Sequence, residues 1–208
     1  DDEGNQVEGA TIAAGTQTTT TDSNGNYTLS LEPGNYTVTA SKSGYATASQ
    51  DVMVFANQTT IVNFQLVKIP AVVAYSPTGT SVPITANITV TFNKAMNHSS
   101  VENAFSISPS VDGSFSWNGN TMIFTPVRLN YSTTYTVTIS TEAKDQAGNS
   151  LQSPFSWQFT TASKPDTTPP ILNLVSPTNN HTNNNWVYVN VTVEDESPVF
   201  GFINWNSS

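Results

Sequence analysis

Cysteine is missing from all 208 residues, which excludes disulfides, thiolate nucleophiles and thiolate metal sites together. Many secreted proteins rely on disulfides, so a cysteine-free chain leans towards the surface proteins of prokaryotes. Charge is scarce as well. Asp, Glu, Lys and Arg make up 10% of the chain, against a usual share of about 25%. Basic residues are the scarcest: 6 Lys and Arg stand against 15 Asp and Glu, for a net charge of −9. Without a basic stripe there is no counterion release to gain, so nucleic acid and anionic lipid are excluded as partners. The Lys/Glu enrichment of hyperthermophiles is absent too. No apolar run approaches the roughly 18 residues of a membrane helix, so this segment is expected to make no direct membrane insertion. Residue 1 is Asp, and the opening residues do not read as a signal peptide; the numbering is expected to begin inside a longer precursor.

What fills the chain instead is Ser, Thr and Asn, together more than a third of it. Solubility rests on neutral hydroxyls and amides. Hydrophobic periodicity is two almost throughout. Ile88, Val90 and Phe92 share one face, with Thr89 and Thr91 on the other. Tyr135, Val137 and Ile139 alternate with Thr136 and Thr138, and Val187 to Val193 repeat the pattern. That is the signature of half-buried antiparallel strands, and the β-branch of Thr suits their outer face. There is no convincing amphipathic helix; the best candidate is a short turn at Ser99 to Ala104. Turn signals recur roughly every 8–12 residues, as in a sandwich. Asp22 to Asn26 and Asp145 to Asn149 each predict an Asx turn with glycine in the left-handed region. Glu32-Pro33-Gly34-Asn35 predicts a type II turn with positive φ at Gly34.

Proline-rich seams near Ile69-Pro70 and over residues 163–168 divide the chain, the second stiffened towards extended geometry. The expected domains are residues 1–68, residues 70–162 and, after the 163–168 linker, a partial domain at 169–208. The fold class is all-β: tandem immunoglobulin-like or prealbumin-like β-sandwiches, the last incomplete, because three strands cannot close a sandwich.

Particular residues sharpen this. Gly9-Ala10-Thr11-Ile12, Thr21 to Leu29, Pro33 to Ala40 and Gly44-Tyr45 resemble the carboxypeptidase regulatory-like family. That resemblance implies a seven-stranded prealbumin-like sandwich, here lacking the strand that precedes the Asp2-Glu3-Gly4-Asn5 turn. Tyr75-Ser76-Pro77, Val90 to Met96, Ile123 to Pro126, Tyr135 to Val137, Asp145 to Asn149 and Trp157 to Thr161 resemble the Ig-like domain of bacterial and archaeal S-layer and adhesin-type proteins. Asp166 to Pro170 and Val193 to Ser197 resemble the start of another Ig-like repeat. Such modules imply spacing, display and adhesion, and carry no shared catalytic residues.

The chemistry-bearing residues point the same way. His98 and His181 each sit beside Asn, no nucleophile-elbow pattern surrounds any Ser, and no zinc-type histidine spacing exists. The runs Asp1-Asp2-Glu3 and Glu194-Asp195-Glu196 alternate faces in extended chain, so neither forms a pocket alone; both are expected to be solvated. No enzyme and no cofactor are therefore expected. Calcium is the one cation to consider, with Asp166, Glu194, Asp195 and Glu196 as weak candidates at an interdomain seam. Asp22-x-Asn24-x-Asn26 lacks the glycine and closing acid of a calcium loop and predicts a tight turn instead. Phe115 with Trp117, and Phe155 with Trp157 and Phe159, alternate as core; an exposed platform at Trp117, Trp157 or Trp205 would point to sugar binding, and Trp186 and Trp205 lie in the incomplete module. Tyr135 is placed for a tyrosine corner. A Lys–Asn isopeptide bond, as in related surface sandwiches, would need Glu32 and Asn63 plus a first-strand lysine that is missing. Nine Asn-x-Ser/Thr sequons occur, at Asn26, Asn35, Asn57, Asn87, Asn97, Asn130, Asn180, Asn190 and Asn206, where composition alone gives about six.

The expected function is a non-catalytic extracellular spacer and display scaffold of a prokaryotic cell surface. Its expected partners are other copies of itself, envelope proteins or surface glycans. Two alternatives stand beside it: a filament subunit assembled by strand donation at an open sandwich edge, and an accessory carbohydrate-binding region of a secreted enzyme.

Overall fold

The structure, a computed structural model, describes residues 1–176 and 190–195. Residues 1–162 form one compact unit and residues 163–208 a second. Strands dominate, as the period-two pattern requires.

The first module is built on a four-stranded antiparallel sheet of β1 (Thr11–Ala14), β2 (Gln17–Thr20), β3 (Gly34–Ser41) and β4 (Ala48–Val54), ordered β2-β1-β3-β4. Ile12, Ala14, Val38 and Ala40 bury its inner face. The turn between Thr21 and Asn26 is the expected Asx turn: Asp22 Oδ1 accepts from the N–H groups of Asn24 at 2.9 Å and Asn26 at 2.8 Å, and Gly25 has φ 76°.

Two expectations fail in this module. Gly34 is not in the left-handed region; it opens β3 and pairs with Val54. The sheet ladder supplies its backbone partners, and this outweighs the local turn preference of Pro-Gly. The layer facing the sheet is not a second ladder. Residues 27–31 and 61–66 run with alternate side chains inward, bringing Tyr27, Leu29, Leu31, Phe64 and Leu66 onto the core. Yet none of the backbone N–H groups of residues 27–32 or 59–67 meets an acceptor among the described residues. Between the two segments lies an open groove of about 760 Å³ that also touches Val38 and Val52. The side chain of Tyr27 reaches Val62, donating to its carbonyl at 2.8 Å.

The second module is a two-sheet sandwich. One sheet is ordered β5-β7-β10-β9, from β5 (Val72–Ser76), β7 (Ile88–Phe92), β10 (Thr121–Pro126) and β9 (Gly113–Asn118). The other is ordered β6-β12-β11-β8, from β6 (Gly79–Val82), β12 (Phe155–Thr161), β11 (Thr134–Ile139) and β8 (Phe105–Ser108). The alternating residues interleave in the middle: Ile88, Val90, Met122, Tyr135, Val137 and Ile139 are each fully buried. The tyrosine corner forms, with Asn130 N donating to Tyr135 Oη at 2.9 Å. The segment from His98 to Ala104 is a helix, α1, rather than a turn. Asn97 caps it by accepting from Ser100 N, and Val101 and Ala104, three apart, reach the core. Two small buried anchors and one cap suffice for seven residues.

In the second unit, β13 (Ile171–Ser176) and β14 (Asn190–Glu194) pair antiparallel. Ile171, Leu172, Val175 and Val193 are exposed. His181, Trp186, Glu196, Trp205, Asn180 and Asn206 lie outside the described residues.

Candidate functional site

Among the described residues, those that sequence reasoning weighed for chemistry form no common metal site. Glu194 ends β14 and Asp195 follows it, while Asp166 accepts from Thr168 N, two residues on, at 2.8 Å. Among the described residues, no group of three His, Asp or Glu side chains is placed to hold a metal ion. His98 is exposed and stacks on Trp117 at 3.9 Å between centroids. Trp117 also donates to Glu102 Oε1 at 2.8 Å. Trp157 is buried and donates to Pro77 O at 3.0 Å. Neither tryptophan forms an exposed platform, because both rings are covered by neighbours. Glu32 and Asn63 are exposed, and no ion pair joins Glu32 to a lysine among the described residues. The sequon asparagines Asn26, Asn35, Asn57, Asn87, Asn97 and Asn130 are all exposed.

The most concentrated polar chemistry lies where the first two modules meet. The connecting residues 67–71 are bonded from both sides. On the first-module side, Ala46 N donates to Val67 O at 2.8 Å and Ile69 N to Gly44 O at 2.9 Å. Lys68 N donates to Asp2 Oδ1 at 2.9 Å. On the second-module side a single residue, Asn93, brackets the chain. Its Nδ2 donates to Ile69 O at 2.9 Å, its Oδ1 accepts from Ala71 N at 2.9 Å, and its N–H donates to Ala71 O at 3.0 Å. Pro70 between them is buried.

Lys94 is the centre of this junction. Its side chain is only 6% exposed. Its ammonium lies 2.7 Å from Asp145 Oδ2, 2.8 Å from Asp2 Oδ2 and 3.0 Å from Lys68 O. An ammonium has three donors, so the set is complete. The three acceptors come from three places: the first module, the connection and the second module. Asp145 is held in turn by its Asx turn. Its Oδ1 accepts from Ala147 N at 2.9 Å and Asn149 N at 2.8 Å, and its Oδ2 from Asn149 Nδ2 at 2.9 Å. Beside this group, Lys68 Nζ pairs with Glu3 at 3.2 Å.

Electrostatics follow from the geometry. Burial pushes the Asp145 carboxyl up, but hydrogen bonds from Lys94 and Asn149 outweigh it and hold the group below its ordinary value. Asp2 behaves alike: desolvation is outweighed by the Lys68 N–H and the Lys94 ammonium, and the net shift is down. For Lys94, desolvation works against the charge, while Asp145 and Asp2 more than restore it and hold the ammonium above its usual range. All three groups are charged at neutral pH. The expectation that Asp1-Asp2-Glu3 is simply solvated therefore fails at Asp2, because a turn at residues 1–4, not an extended run, aims it at Lys94.

Sequence reasoning missed Lys94. The signal was in phase with the strand: Val90, Phe92, Lys94 and Met96 are all buried, so the lysine occupies an inward position of a period-two run. A lysine there demands carboxylates.

Both modules have counterparts among known proteins. One 67-residue stretch is 39% identical to Structural protein 27 of a virus (isolate Australia/Victoria), covering 32% of this chain and 13% of that protein. The chain thus spans a small part of that relative's length. L,D-transpeptidase 3 from Mycobacterium tuberculosis superimposes with a TM-score of 0.34 at 24% identity, over 44% of this chain and 37% of that one. The surface layer protein SbsC, domains 1–6, gives a TM-score of 0.35 at 24% identity, over 50% and 15%. Residues 1–67 match the carboxypeptidase regulatory-like domain and residues 67–161 the bacterial Ig-like domain. Residues 1–161 are thus a carboxypeptidase regulatory-like domain followed by a bacterial Ig-like domain.

Proposed function

We propose that this chain is a non-catalytic structural spacer of an extracellular surface, holding and displaying whatever lies at its two ends. The observation that carries the reading is the junction: two β domains in series share a connection in which residues 67–71 are bonded to both sides and Lys94 is buried between them. A spacer needs a defined reach, and a bonded connection supplies it where a free linker would not. Both domain types are typically non-catalytic. The viral relative is named as a structural protein, which supports a structural over a chemical role. The exposed Asn26, Asn35, Asn57, Asn87, Asn97 and Asn130 are proposed glycan acceptors on its outer face. Protease shaving of intact cells, read by mass spectrometry, tests the placement. Release of peptides from this chain is expected; their appearance only after lysis would count against it. Glycopeptide analysis of the same digest tests the sugars, and six bare asparagines would end that part of the reading.

A second reading, assembly of copies by strand addition, is favoured by the groove in the first module. Two extended segments with unmet N–H groups flank it, the arrangement an added strand would complete. Sedimentation at rising concentration, with amide exchange alongside, separates the two. Oligomers that protect residues 27–32 and 59–67 would support assembly. A monomer whose amides there exchange freely would leave the spacer alone.

A further inference from the structure

We infer that Lys94 is a latch between the first two domains, with Asp2 as its catch, and that this side chain, acting on top of the bonded connection, makes residues 1–162 a single rigid body. Adjacent domains in a chain move relative to one another by default unless a large apolar interface prevents it. Here the restraint is polar and local. The lysine stem belongs to the second domain and is packed among its buried residues, between Phe92 and Met96 in the strand phase. Asp145, also from the second domain, holds the ammonium at 2.7 Å and fixes its position. With that partner alone Lys94 would serve only its own domain. The other two acceptors change its role: Asp2 Oδ2 at 2.8 Å lies 92 residues away in the first domain, and Lys68 O at 3.0 Å lies on the connection. Asp2 is itself tied to the first domain, its N–H donating to Leu66 O at 3.1 Å and its Oδ1 accepting from Lys68 N at 2.9 Å. Any rotation of one domain against the other must pull a buried ammonium off a carboxylate, and the low-dielectric setting penalises that far more than it would at the surface. Asn93 bonds the connection but touches no residue of the first domain before Ile69. It reaches the first domain only at second hand, through Ile69, whose N–H donates to Gly44 O at 2.9 Å, whereas Lys94 meets a first-domain side chain directly.

The absence of cysteine makes the test clean, since two introduced thiols take all the label. Spin labels at Thr18→Cys and Ser116→Cys, both exposed and in different domains, report the interdomain distance by pulsed electron resonance in the full chain. The expected result is a narrow single distribution that stays narrow in about 1 M salt, since a buried pair is little screened. Asp2→Lys places a second cation against Lys94 and is expected to broaden the distribution about twofold or more, towards the free motion of unrestrained domains. Asp2→Ala gives the same direction without the repulsion, and keeps the test available should the lysine variant lose the fold of the first domain. Asn93→Ala is expected to leave the width nearer the parent than either Asp2 variant. A parent distribution already broad, or Asp2 variants as narrow as the parent, would overturn the inference.

Discussion

Replacing Lys94 by Met removes the ammonium and its three hydrogen bonds while changing little volume. The unbranched apolar stem keeps the volume, so the cost is electrostatic rather than a cavity. Removing one partner of a buried ion pair typically costs about 3–5 kcal/mol, because the other charge is left behind. Two features set where Lys94→Met falls in that range. Asp145, 1% exposed, cannot reach water, but it keeps three hydrogen bonds, from Ala147 N, Asn149 N and Asn149 Nδ2. Asp2 is 20% exposed and can rehydrate. Both push the cost to the low end, about 3 kcal/mol. For a unit the size of residues 1–162, each kcal/mol moves Tm by about 2–4 °C, so a fall of about 6–12 °C is expected. Calorimetry on the full chain measures it. The double variant Lys94→Met with Asp145→Asn then removes both charges, and the new amide retains an oxygen for the Ala147 and Asn149 donors. It is expected to recover part of the loss, a non-additivity that contacting residues show. A Tm within about 2 °C of the parent for Lys94→Met, or strict additivity in the double variant, would refute the reasoning.

Other perturbations probe the same structure. Tyr135→Phe deletes the oxygen that accepts from Asn130 N at 2.9 Å at a fully buried corner; a loss of about 1–3 kcal/mol is expected in urea denaturation. Gly113→Ala would set a Cβ 2.4 Å from Phe124 Cζ and 2.6 Å from the Thr125 carbonyl. The backbone atom cannot swing aside, so about 1–3 kcal/mol of destabilisation is expected, read as a lower urea midpoint. The charge state of the junction sets a pH profile. Asp2 and Asp145 titrate below their ordinary 3.8 in the fold, so their contribution is complete above that value and is lost as pH falls through the folded pKa. Lys94 titrates above 10.5, so its contribution is complete below that value and is lost as pH rises beyond it. Denaturation midpoints followed from about pH 7 down to about pH 2 should therefore drop on the acid side, and drop less in Lys94→Met.

Much of this was legible because strand burial has a period of two and the chain respects it. Ile88, Val90 and Phe92, or Tyr135, Val137 and Ile139, needed no tertiary knowledge to be placed inside. The two Asx turns were equally legible, since an aspartate that accepts from the N–H groups two and four residues on carries its own instructions. Features decided by distant partners were not legible. Pro33-Gly34 has the composition of a turn, yet the ladder with β4 claims Gly34 for a strand. Residues 27–31 and 61–66 alternate like strands, but their backbone N–H groups meet no acceptor among the described residues. Most telling is Lys94: its phase marked it as inward, but its partners Asp2 and Asp145 lie far off in sequence on either side, and nothing local connects three such residues.

One detail of the second domain bears on what happens when the chain is put under tension. Its sheets are antiparallel except where β6 meets β12, which run parallel and pair Gly79 with Phe159 and Val82 with Thr161. β6 lies near the domain's entry and β12 leads to its exit. Stretching the chain between those points drags the two strands in opposite directions along their own axes. The pairing and the bonds flanking it, Ala162 N to Val82 O at 2.9 Å and the Trp157 indole N–H to Pro77 O at 3.0 Å, are then loaded together rather than peeled away singly. The domain is thus wired to stay closed when pulled from its ends.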